Sequence, residues 1–384
     1  MLAIAAVAGA LALAGTFQLH APVTAAEKDQ PVSTEKEKET GMRADGSITV
    51  PSFEMPFSTF ASKEALEDYL FKKRAQAEMV PMRGSKDIAV QRASSDRYLF
   101  QPWLDQQKEK YPNVVMKSGN IGGVEVQTFT PKDGVKAKNK GRVLINLHGG
   151  GFTTGWGVVS QIESIPISSV GDIKVISVNY TMFPEGRFPD ASRDVATVYR
   201  ELLKTHKPSQ IGIYGCSAGA LLTGQSMAWF QKENLPAPAV IGMFSQSTAG
   251  MGGDSRYVAS NAGGIDFPAP PNMDPNALLL AAGYFNGTSA KLDDPLVLPS
   301  ASPAVIAKFP PTVLVSGTRA GDMSGVLRTQ LDLVKVGVDA RAYVWDGMDH
   351  CFMYSPTPES QEAYGIVSNF FEQMMDRAER EPRK

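Results

Sequence analysis

The 384-residue chain contains only two cysteines and four histidines, and its charges nearly cancel at a formal net charge of -2. A near-neutral balance without a dense Lys/Arg cluster removes the electrostatic footprint of a nucleic-acid binder. The one basic cluster, Lys136 to Arg142, precedes an apolar run and reads as an exposed loop. Four scattered histidines argue against a histidine-rich metal centre, and no metal is expected. There is no repeat at 20–50 residues and no coiled-coil heptad pattern, which excludes solenoid and rod architectures. What the chain does have is apolar content: 43% hydrophobic residues against 20% charged, enough for a sizeable core.

Its longest apolar stretch is "LAIAAVAGALALAGTF", Leu2–Phe17, followed by small residues up to Ala26. This run falls slightly short of the roughly 18–20 residues that span a bilayer. It has the form of a secretory signal peptide over residues 1–26, although it lacks a basic start. The stretch after it, Glu27–Gly41, is polar and alternates in charge, which predicts a disordered leader over 27–47. The expected location is therefore secreted or periplasmic, with no stable membrane insertion after cleavage. In that compartment the two cysteines would meet oxidising conditions.

Ser58–Ala75 predicts a helix with Ser62 as N-cap, belonging to a set of N-terminal cap helices over 48–110. From about residue 111 the pattern changes to an α/β core. "RVLINLH", "IKVISVNY", "QIGIYG", "AVIGMFS" and "PTVLVSG" are short Val/Ile-rich runs suited to parallel strands buried on both faces. Between and after them, Val195, Val198, Tyr199, Leu202 and Leu203 share one helical face, as do Val367, Phe370, Phe371 and Met374. Strands alternating with helices predict a mostly parallel sheet covered on both sides, with its chemistry at the carboxyl ends of the strands. The interval of about 248–299 is rich in Gly, Pro, Asn and Ala and too long for an ordinary connection, so it reads as a cap insertion.

Gly215-Cys216-Ser217-Ala218-Gly219 matches G-x-S-x-G, after an apolar strand and before a helical pattern. In that context Ser217 is a candidate nucleophile; the bland reading is a tight turn whose serine caps the helix. His148-Gly149-Gly150-Gly151 follows "RVLINL", and its glycines would let backbone N–H groups approach a substrate. The amides of Gly149, Gly150 and Ala218 are the candidate oxyanion donors. A base must come from the four histidines. His20 lies in the presumed signal, His148 opens the glycine loop, and His206 sits in an exposed "KTHKPSQ". That leaves His350, late in the chain within "WDGMDHCFMY".

These motifs resemble the hormone-sensitive-lipase-like branch of the α/β-hydrolases over roughly residues 110–375. "VNYTMFPEGRFPDASRDV" is similar to the Tyr-x-x-x-Pro-Glu segment of that branch, with Glu185 and Asp194 then structural. The resemblance implies an α/β-hydrolase fold capped by the N-terminal helices and an insertion after the sixth strand. It also implies hydrolysis of carboxylic esters without a cofactor. The pattern departs at the acid: relatives read Gly-Thr-Arg-Asp, whereas this chain reads Gly317-Thr318-Arg319-Ala320-Gly321-Asp322. Asp322 is two residues late, and Gly321 would have to let the loop curl to bring it in. Asp349, Asp346 or no effective acid remain the alternatives, and Asp322 as a plain helix cap is the bland one.

Each cysteine adjoins one member of the Ser217–His350 pair. The local arrangement resembles the Cys-Ser…Asp…His-Cys motif of tannases and fungal feruloyl esterases, which implies a Cys216–Cys351 disulfide; two buried free thiols are the alternative. Phe152, Trp156, Phe267, Tyr284 and Phe285 are candidate pocket residues for an uncharged, moderately apolar small-molecule ester, against ordinary core packing. The expected activity is that of a serine carboxylesterase. A lactone, amide or aromatic-ester hydrolase and a non-catalytic ligand-binding homologue stand as rivals. Acyl-chain length and oligomeric state stay open.

Overall fold

The computed structural model describes residues 43–381 apart from 45, 51–53, 84, 262–273 and 282. The expected signal segment, His20, most of the leader and Phe267 lie outside the described residues. The chain divides into two units, Met1–Met55 and Pro56–Lys384. In the first, a turn is closed by the Arg43 carbonyl accepting from Gly46 N at 2.9 Å. Everything that follows concerns the second.

Its centre is one eight-stranded sheet: β1 (Val114–Ile121), β2 (Val124–Pro131), β3 (Val143–Leu147), β4 (Lys174–Val178), β5 (Ile211–Cys216), β6 (Val240–Phe244), β7 (Thr312–Gly317) and β8 (Ala340–Trp345). The spatial order is β1-β2-β4-β3-β5-β6-β7-β8. β1 pairs antiparallel with β2, and β2 antiparallel with β4. All other pairings are parallel. Five of these strands are the five apolar runs, and every residue of β3, β5, β6 and β7 is buried. Continuous Val/Ile runs fit positions covered on both faces. The β1–β2 hairpin was not signalled that way, because β1 is largely exposed and carries Lys117, Ser118 and Asn120. Its two-residue link, Gly122-Gly123, has positive φ at both positions (63° and 93°), the geometry a tight hairpin of this hand requires.

The helices are α1 (Lys63–Arg83), α2 (Ile88–Ser95), α3 (Gln101–Lys110), α4 (Val159–Gly171), α5 (Asp190–Leu202), α6 (Ala218–Lys232), α7 (Asp254–Asn261), α8 (Pro275–Ala281), α9 (Pro303–Ile306), α10 (Met323–Lys335) and α11 (Pro358–Arg380). Ser62 caps α1 as expected, its Oγ accepting from Ala65 N at 3.0 Å. Two apolar layers cover the sheet. One is built from α5, α6 and α10 through Val195, Val198, Tyr199, Leu222, Val326 and Leu333. The other joins α4 and α11 (Ile162, Ile165, Val367, Phe371) to Ala65 of α1 and Trp103 and Leu104 of α3. Burying a large apolar side chain contributes roughly 1.5–3 kcal/mol, so these layers fix the sheet that carries the site. The interval 248–299 holds α7 and α8, and Tyr284 and Phe285 after α8 are buried in the first layer.

Candidate active site

Four loops leave the carboxyl ends of parallel strands and converge. β3 leads to His148–Gly151, β5 to Ser217, β7 to Asp322 and β8 to His350. Ser217 sits between β5 and α6 with φ 56° and ψ -121°, a backbone that costs a non-glycine residue about 1–3 kcal/mol. Its N–H donates to the Phe244 carbonyl at 2.8 Å, pinning the turn to the neighbouring β6. Gly215 and Gly219 are required by closeness: a Cβ on either would collide with the Leu147 carbonyl at the end of β3. The bend holds the serine hydroxyl above the sheet. No side-chain cap bond to α6 is made by Ser217, so helix capping does not account for it.

His350 Nε2 lies 2.9 Å from Ser217 Oγ, and His350 Nδ1 lies 2.7 Å from Asp322 Oδ2. The Gly317–Asp322 loop therefore delivers a carboxylate two residues beyond Ala320, whose side chain is buried. Gly317 passes so close to the Met348 carbonyl that a Cβ there would clash, which brings the acid loop against the histidine loop. Asp322 Oδ1 accepts from Ser316 Oγ at 2.7 Å, and its side chain is 4% exposed against 25% for His350. It precedes α10 without making a side-chain cap bond. The alternative carboxylates are engaged elsewhere. Asp349 pairs with the buried Lys72 of α1 at 2.5 Å, and Asp346 accepts from Thr318 Oγ1 at 3.0 Å.

Cys216 and Cys351 form a disulfide across 135 residues, with Cα atoms 6.5 Å apart. It joins the residue before Ser217 to the residue after His350. Cys351 takes φ 53°, and its N–H donates to Ser245 Oγ at 2.9 Å, a second tie from the histidine loop to the end of β6. Lys72 Nζ adds a third by donating to the His350 carbonyl at 3.1 Å.

The glycine loop departs from the expectation in one donor. The Gly149 N–H does not face Ser217; it donates to the buried Glu163 Oε1 at 2.8 Å. The reason is steric as well as electrostatic, since Gly149 packs against the Cys216 carbonyl and the Tyr354 hydroxyl with no room for a side chain. Gly150 turns with φ 117° and Gly151 with φ 64°, and Gly151 is exposed. Ala218 N–H, in the first turn of α6, has no intrahelical acceptor. His148 is buried and neutral, burial lowering it to about 4. Its Nδ1 lies 2.7 Å from the Gly149 carbonyl and its ring stacks on Tyr180 at 4.4 Å, so it shapes the loop and does not reach Ser217.

The aromatic candidates separate. Phe152 stacks on Tyr284 at 4.6 Å and meets Phe285 edge-on at 5.5 Å; all three are buried core residues, because their rings satisfy one another beneath the loop. Trp156 does line a cavity of about 380 Å³, together with Arg92, Asp96, Tyr180, Met182 and Glu185. Arg92 of α2 joins this region to the glycine loop, donating to the Thr153 carbonyl at 2.7 Å and pairing with Glu185 at 2.7 Å. Asp194 accepts from Thr181 N at 2.7 Å. Glu163, Tyr354, Ser316 and Lys72 had no motif to mark them, since each acts through a tertiary contact.

A family model described as the alpha/beta hydrolase fold matches residues 144–354, more than half of the chain. The crystal structure of an esterase E25 is similar at a TM-score of 0.71 and 27% identity, covering 85% of this chain and 98% of that one. An esterase from the bacterial hormone-sensitive lipase family superposes at a TM-score of 0.68 and 20% identity over 82% of this chain and 99% of that one. An acetyl-hydrolase of Streptomyces hygroscopicus is 29% identical over 136 residues, which is 35% of this chain. The match spans less than half of that relative, 45% of its length.

Proposed function

The chain belongs to the alpha/beta hydrolase fold family, and on that premise we propose that it is a serine carboxylesterase of the hormone-sensitive-lipase-like branch. The observation that carries the reading is the unbroken chain of contacts from Ser217 Oγ through both ring nitrogens of His350 to Asp322. Similarity to the esterase E25 along most of both chains supports the same reaction class.

In the first half-reaction Ser217 Oγ attacks the ester carbonyl carbon while His350 Nε2 takes its proton. The carbonyl oxygen becomes an oxyanion, for which the N–H groups of Gly150, Gly151 and Ala218 are the available donors. Asp322 holds the ring in the tautomer with Nδ1–H and stabilises the imidazolium. Collapse breaks the bond to the alcohol, which leaves with the proton from His350. Water then adds to the acyl-enzyme with His350 again as base, releasing the acid and restoring Ser217. The substrate class is a carboxylic ester. This assignment rests on the reaction machinery, since Phe152, Tyr284 and Phe285 are committed to the core.

We also propose export. Leu2–Phe17 has signal-peptide composition, and disulfides such as Cys216–Cys351 persist in oxidising compartments. Among the described residues no helix is long and apolar enough to cross a membrane. The enzymatic proposal is tested with a fluorophosphonate probe and a short-chain aryl ester. Labelling at Ser217 with concurrent loss of turnover is expected. A folded protein with neither labelling nor turnover overturns it.

A further inference from the structure

Glu163 lies in α4, outside every catalytic motif, and its side chain is enclosed behind the glycine loop. Several donors converge on its carboxylate, each from a different piece of the site. Asn146 Nδ2, at the end of β3, donates to Oε2 at 2.7 Å. Gly149 N–H of the glycine loop donates to Oε1 at 2.8 Å. Tyr354 hydroxyl, four residues beyond His350, donates to the same oxygen at 2.7 Å. The backbone of Cys216, next to Ser217, also hydrogen-bonds to it. The backbone carbonyl of Glu163 accepts from Tyr214 of β5 at 3.1 Å, which fixes the helix over that strand.

We propose that Glu163 is the positioning residue of this active site, one buried carboxylate that clamps the oxyanion loop, the nucleophile elbow and the histidine loop in mutual register. Drawing the Gly149 N–H inward fixes the His148–Gly149 peptide plane, one unit before the Gly150 amide, and so aims the next two amides toward the oxyanion. The phenol of Tyr354 carries the same constraint to the segment bearing His350. Asn146, Gly149 and Tyr354 all act as donors to the carboxylate. Burial pushes the carboxyl up to about 7, while Tyr354, Asn146 and the backbone donors pull it down. The phenols around it, Tyr180, Tyr214, Tyr354 and Tyr364, are themselves held neutral by burial. At pH 8 the ionised carboxylate accepts from all its donors, and a proton on Oε1, which already accepts from Gly149 and Tyr354, would force one of them to let go.

This inference rests on the esterase reading, and its test separates the two. Glu163→Gln keeps the shape but sets an NH2 group against one of the donors. Tyr354→Phe, a milder change expected to fold, cuts only the tie to the histidine loop. Both are compared with the wild type at pH 8 on a short-chain aryl ester, with folded enzyme quantified by circular dichroism. Binding of an aryl trifluoromethyl ketone, which mimics the oxyanion, is measured alongside. Removing an oxyanion donor outright costs about 10²–10³ in kcat; a misaimed loop should cost less. Glu163→Gln is expected to lower kcat about 10- to 100-fold with KM within about twofold, and to weaken the ketone by the same factor. Tyr354→Phe should lower kcat about three- to tenfold, also without a KM change, as a partial loss of the same alignment. Unchanged kcat per folded molecule, in both variants or in Tyr354→Phe alone should Glu163→Gln not fold, overturns the inference even if melting temperatures drop. A wild type that does not hydrolyse the ester refutes the esterase reading instead.

Discussion

Replacing Asp322 by Asn examines the least conventional element of the site, an acid two residues beyond its customary position. The carboxylate accepts from Ser316 Oγ through Oδ1 and faces His350 Nδ1 through Oδ2, with a side chain only 4% exposed. Water therefore cannot replace it. An asparagine in the same place presents its NH2 to one of two groups that both need an acceptor. If it faces His350, the ring must move its proton to Nε2, and the nitrogen beside Ser217 is no longer basic. The equivalent change in a serine protease costs about 10⁴ in kcat, or about 5.5 kcal/mol of barrier. The burial here is comparable, so a loss of about 10³–10⁴ is expected, with the protein still folded because shape and volume are kept. Steady-state hydrolysis of an aryl acetate by purified protein, checked by circular dichroism, measures it. Asp349→Asn serves as the contrast and should lose less than about tenfold, since Asp349 pairs with Lys72. Asp322→Asn retaining more than a tenth of wild-type kcat, or Asp349→Asn falling as far as Asp322→Asn, would refute the assignment.

Opening the Cys216–Cys351 loop by a double Cys→Ala change should lower the unfolding free energy by up to about 5 kcal/mol in the chain-entropy model; an unchanged denaturation midpoint would contradict this. Lys72→Met strands the Asp349 carboxylate in the interior and should cost about 3–5 kcal/mol, much of it restored by adding Asp349→Leu; equal unfolding curves for Lys72→Met and wild type would count against it. Ser217→Gly should abolish turnover yet melt higher than Ser217→Ala, because glycine relieves the φ 56° backbone strain of about 1–3 kcal/mol. A pH effect follows from Glu163. Its carboxyl is raised to about 7 in the fold, so the folded state holds the proton more tightly than the unfolded one. Relative to Glu163→Gln, wild-type stability is then greatest below pH about 4.5 and declines by about 3 kcal/mol as pH rises to 7. A pH-independent difference in unfolding free energy would show that the group does not titrate in this range.

Much of this site is local enough to be read along the chain. The sharp turn at Ser217 is encoded by Gly215 and Gly219, the glycine loop by three consecutive glycines, and the five central strands by apolar runs that only a doubly covered sheet can bury. His350 follows by exclusion, because three of the four histidines have other places. The remainder depends on contacts that sequence spacing does not carry. The Gly149 amide turns away from Ser217 because Glu163, fourteen residues on, reaches back from α4. Phe152, Tyr284 and Phe285 look equally suited to a pocket or a core, and only their stacking against one another decides for the core. β1 escapes notice because an exposed edge strand needs no apolar pattern. The two-residue shift of the acid is visible in the sequence, but whether Asp322 reaches the ring depends on how the loop after Gly317 packs on Met348.

The central claim is that the hydroxyl of Ser217 becomes acylated with His350 as its base. Acid-quenched mass spectrometry on protein mixed with an aryl acetate reads this directly. An acetyl group on the peptide containing Ser217 in the wild type, absent when His350 is replaced by Ala, is the predicted result. Turnover with no acylation at Ser217, or full acylation without the imidazole, would contradict the account.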